Sequence, residues 1–268
     1  MESKYPITNK KIYSRIMPTN QNLHEEYKSF DPLLASIYSP RHTKLSISVV
    51  MPAYNEESNL EKAVEQTRDT FSSLNFDFEI FIINDKSTDK TGEKAEKLAV
   101  SNGNIQVFHH EKNQGSGGAF RTGINRATKE YVIFVPIDNP LDREDIEAYL
   151  PWMNICDIVV GCRVERVGYT RFSRIASFFY NRLLIPLLFN VGISDVNWIH
   201  IYKRKLFSDN IIEFQSSSFF FFVEILILAK RKQLLIVEVP ARMKKRLYGK
   251  GTHSKIINIV KVIREMTT

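Results

Sequence analysis

From Leu45 onward the hydrophobic and polar positions of the chain fall into two alternating periods. Leu45 to Met51 is a short, β-branched-rich run closed by Pro52, after which Leu60, Ala63, Val64, Thr67 and Phe71 recur at helical spacing. This predicts a buried strand followed by an amphipathic helix. The pair then repeats: strand Phe78 to Ile83, helix Thr88 to Val100, strand Ile105 to His109, helix Gly117 to Thr128, strand Tyr131 to Val135, helix Asp142 to Trp152, strand Asp157 to Gly161. Near-continuous apolar strands separated by helices predict an α/β fold with a mostly parallel, Rossmann-like sheet covered by helices on both faces. In such sheets ligands bind beyond the carboxyl ends of the strands. Chemistry is therefore expected in the residues just after each strand.

Outside this stretch the pattern changes. Residues 1–44 are polar, carry Pro6, Pro18, Pro32 and Pro40, and show no sustained periodicity; they read as an N-terminal extension with a short helix around Leu23 to Leu34. Beyond residue 165 the alternation stops. Arg171 to Val191 is rich in Phe, Leu and Ile with arginines interspersed, and is followed by Trp198 to Tyr202, a phenylalanine run at 219–222 and a strand Leu234 to Val239. One domain over 45–240 is expected, followed by a basic loop and helix over 241–268.

Composition narrows this picture. With 43% hydrophobic and 25% charged residues in 268, the chain is an ordinary globular protein rather than a disordered or fibrous one. Its 37 Lys and Arg against 30 Asp and Glu leave a net charge of +7, which favours an anionic partner: nucleic acid, a phosphorylated small molecule or a membrane surface. Nucleic acid is the least favoured, because the basic residues are not interleaved with aromatics on a recognisable binding module. Cys156 and Cys162 are too few for a disulfide framework and lack metal-ligand neighbours, so they read as small apolar residues of a reducing compartment. Met1 to Ile16 is polar and lysine-bearing, without the apolar stretch of a signal peptide. The longest apolar run, Phe219 to Ala229, contains Glu224 and falls short of the roughly 20 residues a spanning helix needs. A cytoplasmic protein, peripheral at a membrane face, is the expectation; nothing in the sequence marks its oligomeric state.

The strand ends carry the candidate chemistry. After the first comes Pro52-Ala53-Tyr54-Asn55-Glu56-Glu57, in which Asn55 is placed to cap the next helix with two acids in its first turn. After the second comes Asn84-Asp85-Lys86-Ser87-Thr88-Asp89-Lys90-Thr91, with Asp85 at the strand tip. The third leads into Asn113-Gln114-Gly115-Ser116-Gly117-Gly118, whose backbone N–H groups suit a phosphate, with Arg121 in the helix behind it. After the fourth comes Pro136-Ile137-Asp138-Asn139-Pro140-Leu141-Asp142. Each segment alone has a plain structural reading as a cap, a turn or a solvated loop. Four in succession at the same edge point to a site. His109 and His110, without a metal-ligand partner at useful spacing, receive no role.

In this order and spacing the segments resemble the motifs of family 2 glycosyltransferases, and within them the branch acting on dolichyl and other polyprenyl phosphates. The resemblance covers roughly residues 45–255. It implies a GT-A fold and an inverting transfer of a sugar from a nucleotide-diphospho-sugar donor to a lipid-phosphate acceptor. Carried over by position, Pro52, Tyr54 and Glu56 line the nucleoside pocket and Asp85 binds the base, with Gly115 and Arg121 on the nucleotide-sugar side. Asp138 matches the second acid of the family's Asp-x-Asp motif and would hold Mg2+ or Mn2+ against the diphosphate. Arg163 and Arg174 match phosphate-holding arginines. Ser177 lies in the same acceptor segment, Asp195 matches an acid that follows it, and Arg246 with Gly249 to Lys255 resembles a basic closing loop. This chain departs from the pattern at Pro136, which replaces the first acid of Asp-x-Asp, at Pro140, at Asn84, at Lys86 and at Trp198-Ile199-His200. Asn139 and Asp142 are the nearest helpers for Asp138.

A phosphate monoester is already largely dianionic at neutral pH, its second pKa lying near about 6. An acceptor of that kind needs no general base, only cations to bring two negative reactants together. A hydroxyl acceptor would need a carboxylate base, for which Asp195 is the candidate. Three functions thus stand beside one another: transfer to a lipid phosphate, transfer to a saccharide hydroxyl, and a non-catalytic nucleotide- or lipid-binding relative.

Overall fold

The structure, a computed structural model, describes residues 44–165, 189, 192–196 and 198–242. The expectations for the N-terminal extension, for Arg174, Ser177, Arg246 and Lys255, and for the closing loop lie outside the described residues.

The predicted alternation is present. Strand β1 (Ser46–Ala53) leads to helix α1 (Leu60–Ser73), β2 (Asp77–Asn84) to α2 (Thr91–Ser101), β3 (Ile105–His109) to α3 (Gly115–Ile124), and β4 (Tyr131–Phe134) to two short helices, α4 (Arg143–Glu147) and α5 (Leu150–Met153). Then come β5 (Ile158–Glu165), β6 (His200–Lys203), α6 (Lys205–Ser208), α7 (Phe221–Arg231) and β7 (Ile236–Arg242). The strands form one sheet in the order β3-β2-β1-β4-β6-β5-β7. Strand β6 runs antiparallel to both its neighbours, and every other pairing is parallel.

Two cores flank the sheet because successive side chains of a strand point to opposite faces. Val49 and Met51 of β1 pack with Leu60, Ala63, Val64 and Phe71 of α1 and with Ala95 of α2, while Val50 between them packs with Ala119, Phe120 and Ile124 of α3. Helix α7 covers the α3 face with Phe221, Phe222, Ile225 and Leu226. The run that reads as the most hydrophobic part of the chain is thus core, and among the described residues no helix is long and apolar enough to cross a membrane.

Several boundaries differ from the expected ones for identifiable reasons. Helix α2 starts at Thr91 rather than Thr88, because residues 87–90 hydrogen-bond across to the β1 loop. The expected helix over 142–152 is two. Asp142 caps α4 through a reciprocal box with Asp145, and Pro151 falls in the first turn of α5, where a missing N–H is tolerated. Strand β6 was not legible: four residues, antiparallel between β4 and β5 and buried at three of its four positions, carry no alternation to detect.

The chain moves from β1 outward to β2 and β3, then returns to place β4 on the other side of β1. That reversal opens a crevice beyond the carboxyl ends of β1 and β4, the position where open α/β sheets bind ligands. Strand β5 points the same way as β4, so its carboxyl half and the segment entering β6 lie at this edge too.

Candidate active site

The loops after β1 and β2 are laced together. Asn55 does not cap α1, which begins at Leu60 after Asn59; it takes a left-handed φ of 56°, which asparagine tolerates better than most residues. Its backbone N–H donates to Ser87 Oγ at 3.0 Å, and its side-chain oxygen accepts the Thr88 N–H at 2.8 Å. Glu56 N–H donates to Thr91 Oγ1, and Glu57 Oε2 accepts the Lys90 N–H. Burial alone would raise the Asp89 carboxyl, but hydrogen bonds from the Thr91 side chain and from backbone N–H groups hold it below its ordinary value. Pro52 and Glu56 are half-buried in this frame, and Glu56 Oε2 accepts from Asn59 Nδ2 at 2.8 Å. Tyr54 stands out of it, 47% exposed at the mouth of the crevice. Lys86 has φ 65° and is exposed.

Asp85 is buried at the tip of β2. Its Oδ1 accepts the Gln114 N–H at 2.7 Å and its Oδ2 the Gly115 N–H at 2.8 Å, at the start of α3. His110 Nδ1 lies 2.7 Å from Oδ1, and His110 Nε2 2.8 Å from Thr122 Oγ1. A carboxylate only accepts, so Nδ1 carries the proton and, in the neutral ring, Nε2 accepts the threonine hydroxyl. The Gln114 and Gly115 N–H groups at the start of the glycine turn are thus taken by Asp85, and His110, given no role in the sequence, is a buried link between β3, Asp85 and α3. His109 is also partnered: Asn84 Nδ2 donates to its Nδ1, and its Nε2 donates to Glu96.

Behind this turn, Gly117 N–H donates to the Ser217 carbonyl at 2.9 Å, and a Cβ on Gly117 would run into the Ser216 carbonyl oxygen. Arg121 Nη1 donates to that same Ser216 oxygen at 2.9 Å, and its guanidinium lies 5.3 Å from the Phe214 ring centre. The glycine and the arginine therefore dock the 214–217 loop onto α3. Glu224 holds the loop from the other side, accepting the Gln215 and Ser216 N–H groups.

At the tip of β4, Asp138 is half-buried. Pro136, two residues earlier, supplies no side-chain oxygen. Asn139 is buried with no hydrogen-bond partner for its Nδ2, and Asp142 caps α4 through its Oδ1. Among the described residues no group of three or more His, Cys, Asp or Glu is arranged to hold a metal ion.

Arg163 and Asp195, expected separately, are brought together. Arg163 Nε donates to Asp195 Oδ2 at 2.6 Å and Nη2 to Oδ1 at 2.7 Å, a two-pronged pair with side-chain exposures of 6% and 1%. The guanidinium also lies 5.0 Å from the Trp198 ring centre, within cation–π range. Next to them Glu238 of β7 accepts the Ser194 N–H at 2.6 Å, and burial pushes its carboxyl up. His200 is fully buried, with Nδ1 2.8 Å from the Tyr202 hydroxyl, and burial lowers its pKa to about 3. Glu238 was not among the residues expected at the site, and His110 was expected to have no role. An acid inside an otherwise apolar strand is a usable signal for the first; nothing in the sequence marked the second. Cys156 is buried and its thiol pushed up to about 12 by burial, as expected of a small core residue.

Comparison with known proteins gives the family and the fold. The family model described as "Glycosyl transferase family 2" matches residues 48–222. The chain is 25% identical over 234 residues to the dolichol-phosphate mannosyltransferase of Pyrococcus furiosus, spanning 82% of this chain but only 64% of that protein. It is 26% identical over 241 residues to the human dolichyl-phosphate beta-glucosyltransferase, spanning 81% of this chain and 74% of that one. Among solved structures, glucosyl-3-phosphoglycerate synthase from Mycobacterium tuberculosis, in complex with Mn2+, uridine diphosphate and phosphoglyceric acid, matches with a TM-score of 0.60 at 18% identity, over 87% of this chain and 81% of that one. That likeness is one of fold, and it bears out the expected GT-A architecture.

Proposed function

This chain belongs to the family 2 glycosyltransferases, and we propose that it transfers a sugar from a nucleotide-diphospho-sugar to a polyprenyl phosphate, inverting the anomeric centre, as a peripheral protein at the cytosolic face of a membrane. The relatives named for dolichyl-phosphate chemistry, each spanning about four-fifths of the chain, support the acceptor class. The observation that carries the choice of a phosphate over a hydroxyl is the state of Asp195. A hydroxyl acceptor needs a carboxylate free to take its proton. Asp195 is fully buried, with each oxygen 2.6–2.7 Å from an Arg163 nitrogen, so it serves as the orienter of a cation rather than as a base.

In this reading the nucleoside lies against exposed Tyr54 at the mouth of the β1–β2 loops, with Pro52 and Glu56 behind it. Asp85, Gly115 and Arg121 act one layer back. Asp85 fixes the start of α3, and Arg121 fixes the 214–217 loop, so the pocket wall is set before the donor arrives. Arg163, held by Asp195 through two of the five N–H donors of a guanidinium, faces the acceptor phosphate, with Arg174, Ser177, Arg246 and Lys255 as its further contacts. In-line attack by the phosphate oxygen inverts the anomeric carbon, and approximation of two anions by fixed cations is the main contribution of the protein.

A single carboxylate at the β4 tip, with a proline where a second acid would stand, suits a magnesium or manganese ion carried mostly by diphosphate and water. Asp138 would hold such an ion, which when bound neutralises charge on the leaving nucleotide. Lys230, Arg231 and Lys232 at the end of α7 are exposed, and basic residues near an anionic bilayer contribute about 1 kcal/mol each.

The test is incubation with a panel of nucleotide-sugars and dolichyl or undecaprenyl phosphate, with and without Mn2+, followed by organic extraction. Extractable sugar with at least one donor is expected. Transfer only to saccharide hydroxyls, or nucleotide binding without any transfer, would overturn the reading.

A further inference from the structure

Glu238 has a position that the transferase reading leaves unexplained. It lies in β7 opposite Val160 of β5, and all three of its hydrogen bonds go to two consecutive residues. Oε1 accepts the N–H of Ser194 at 2.6 Å and that of Asp195 at 3.4 Å, and Oε2 accepts the Ser194 hydroxyl at 3.2 Å. Among the described residues no cation pairs with it. The segment it grips is the one from which the Asp195 side chain leaves to meet Arg163, and Arg163 in turn covers Trp198. Four side chains from three separate parts of the chain are therefore linked in series.

We propose that Glu238 is a positioning residue: its carboxylate anchors the Ser194–Asp195 backbone and so sets the Asp195–Arg163 pair against Trp198. A hydrogen bond to an ionised acceptor is roughly twice as strong as one to a neutral acceptor, so the grip depends on the charge of Glu238. Protonation slackens it, and the Arg163 guanidinium loses its alignment.

The charged and titratable groups around this link are few. Burial, helped by the negative charge of Asp195, the nearest of them, favours the protonated form of Glu238, while the bonds from Ser194 and Asp195 oppose this; the balance is a raised carboxyl. Around Asp195 stand Arg163, His200 and Tyr149, with Cys162 and Asp145 facing Tyr149. His200 stays neutral down to about pH 3, and Tyr149 is pushed well above its ordinary value, so neither titrates in the mildly acidic range. Burial holds the Glu238 carboxyl above the ordinary value of a glutamate.

The catalytic consequence rests on the transferase reading, but the positioning does not, so the experiment has two arms. The chain holds two tryptophans, and Trp152→Phe leaves Trp198 as the sole indole. Its fluorescence, followed from pH ~4 to ~8, should show one step. Glu238→Gln should abolish the step, and Ser194→Ala, which removes one bond to the charged form, should move it to higher pH. The same step in Glu238→Gln, no step in the parent, or an unshifted step in Ser194→Ala would each overturn the proposal. In the transfer assay, kcat/KM expressed per dianionic acceptor, which removes the phosphate's own ionisation near about 6, should fall on the acid side with the same midpoint. On that scale Glu238→Gln should run at the low, acid-side level throughout, and an unchanged acid limb would overturn the proposal. If no donor supports transfer, the transferase reading fails while the fluorescence titration still decides the role of Glu238.

Discussion

The Asp85 carboxylate and the His110 imidazole meet at 2.7 Å, both buried, and the same carboxylate takes the first two N–H groups at the start of α3. One acid at a strand tip thereby joins β2, β3 and the glycine-turn helix. Asp85→Asn leaves one N–H of this set without an acceptor, and a loss of about 1–3 kcal/mol is expected for a buried donor left unsatisfied. A lower urea midpoint at unchanged m-value is the measurement; a midpoint equal to wild type would show that the network carries nothing.

Arg163 and Asp195 make the more costly pair to break. Asp195→Asn leaves a buried guanidinium facing a neutral amide, with an expected loss of about 3–5 kcal/mol. Replacing both, as in Arg163→Met with Asp195→Leu, should recover most of that stability, because the uncompensated charge is gone. The double variant should remain inactive in the lipid-phosphate assay. Recovered activity would remove the pair from the reaction.

His200 should shape the acid side of the stability curve. Its pKa falls from 6.5 to about 3 on folding, because burial disfavours the cation. Below 6.5 the unfolded chain binds a proton that the folded chain refuses, so stability present above that pH is lost as pH falls toward 3. His200→Gln, which keeps a partner for the Tyr202 hydroxyl, should make the decline between these values shallower in pH-dependent unfolding. An identical slope would mean another group is responsible.

Gly117→Ala tests how the 214–217 loop is held. Its Cβ would collide with the Ser216 carbonyl, a backbone atom that cannot swing aside, and overpacking of this kind costs about 1–3 kcal/mol. Limited proteolysis should then cut between α6 and α7 faster than in wild type, with thermal unfolding shifted down.

Asp138→Asn should lower metal-dependent transfer by about 100-fold or more, the usual cost of removing one charge stabiliser at a reaction centre. Turnover equal to wild type at every Mn2+ concentration would take Asp138 out of the metal site.

Much of this molecule follows from local pattern. The alternation of short apolar runs with helical periods determines an α/β sheet with two covered faces, since a strand such as Val49-Val50-Met51, apolar at every position, must bury both sides. The same pattern locates the site at the carboxyl edge, and the order of the polar segments there identifies the family. Tertiary structure alone decides what each polar group faces. Asp85, Asp142, Asp195 and Glu238 are each no more than an acid among its neighbours in the sequence. Yet one fixes a helix start, one caps a helix, one orients an arginine, and one anchors the backbone of the third. Periodicity reports which side of an element is buried, a property of a few neighbouring residues. The partners that satisfy Asp85, Asp195 and Glu238 come from 25 to 44 positions away, and only the packed sheet brings them within hydrogen-bonding reach.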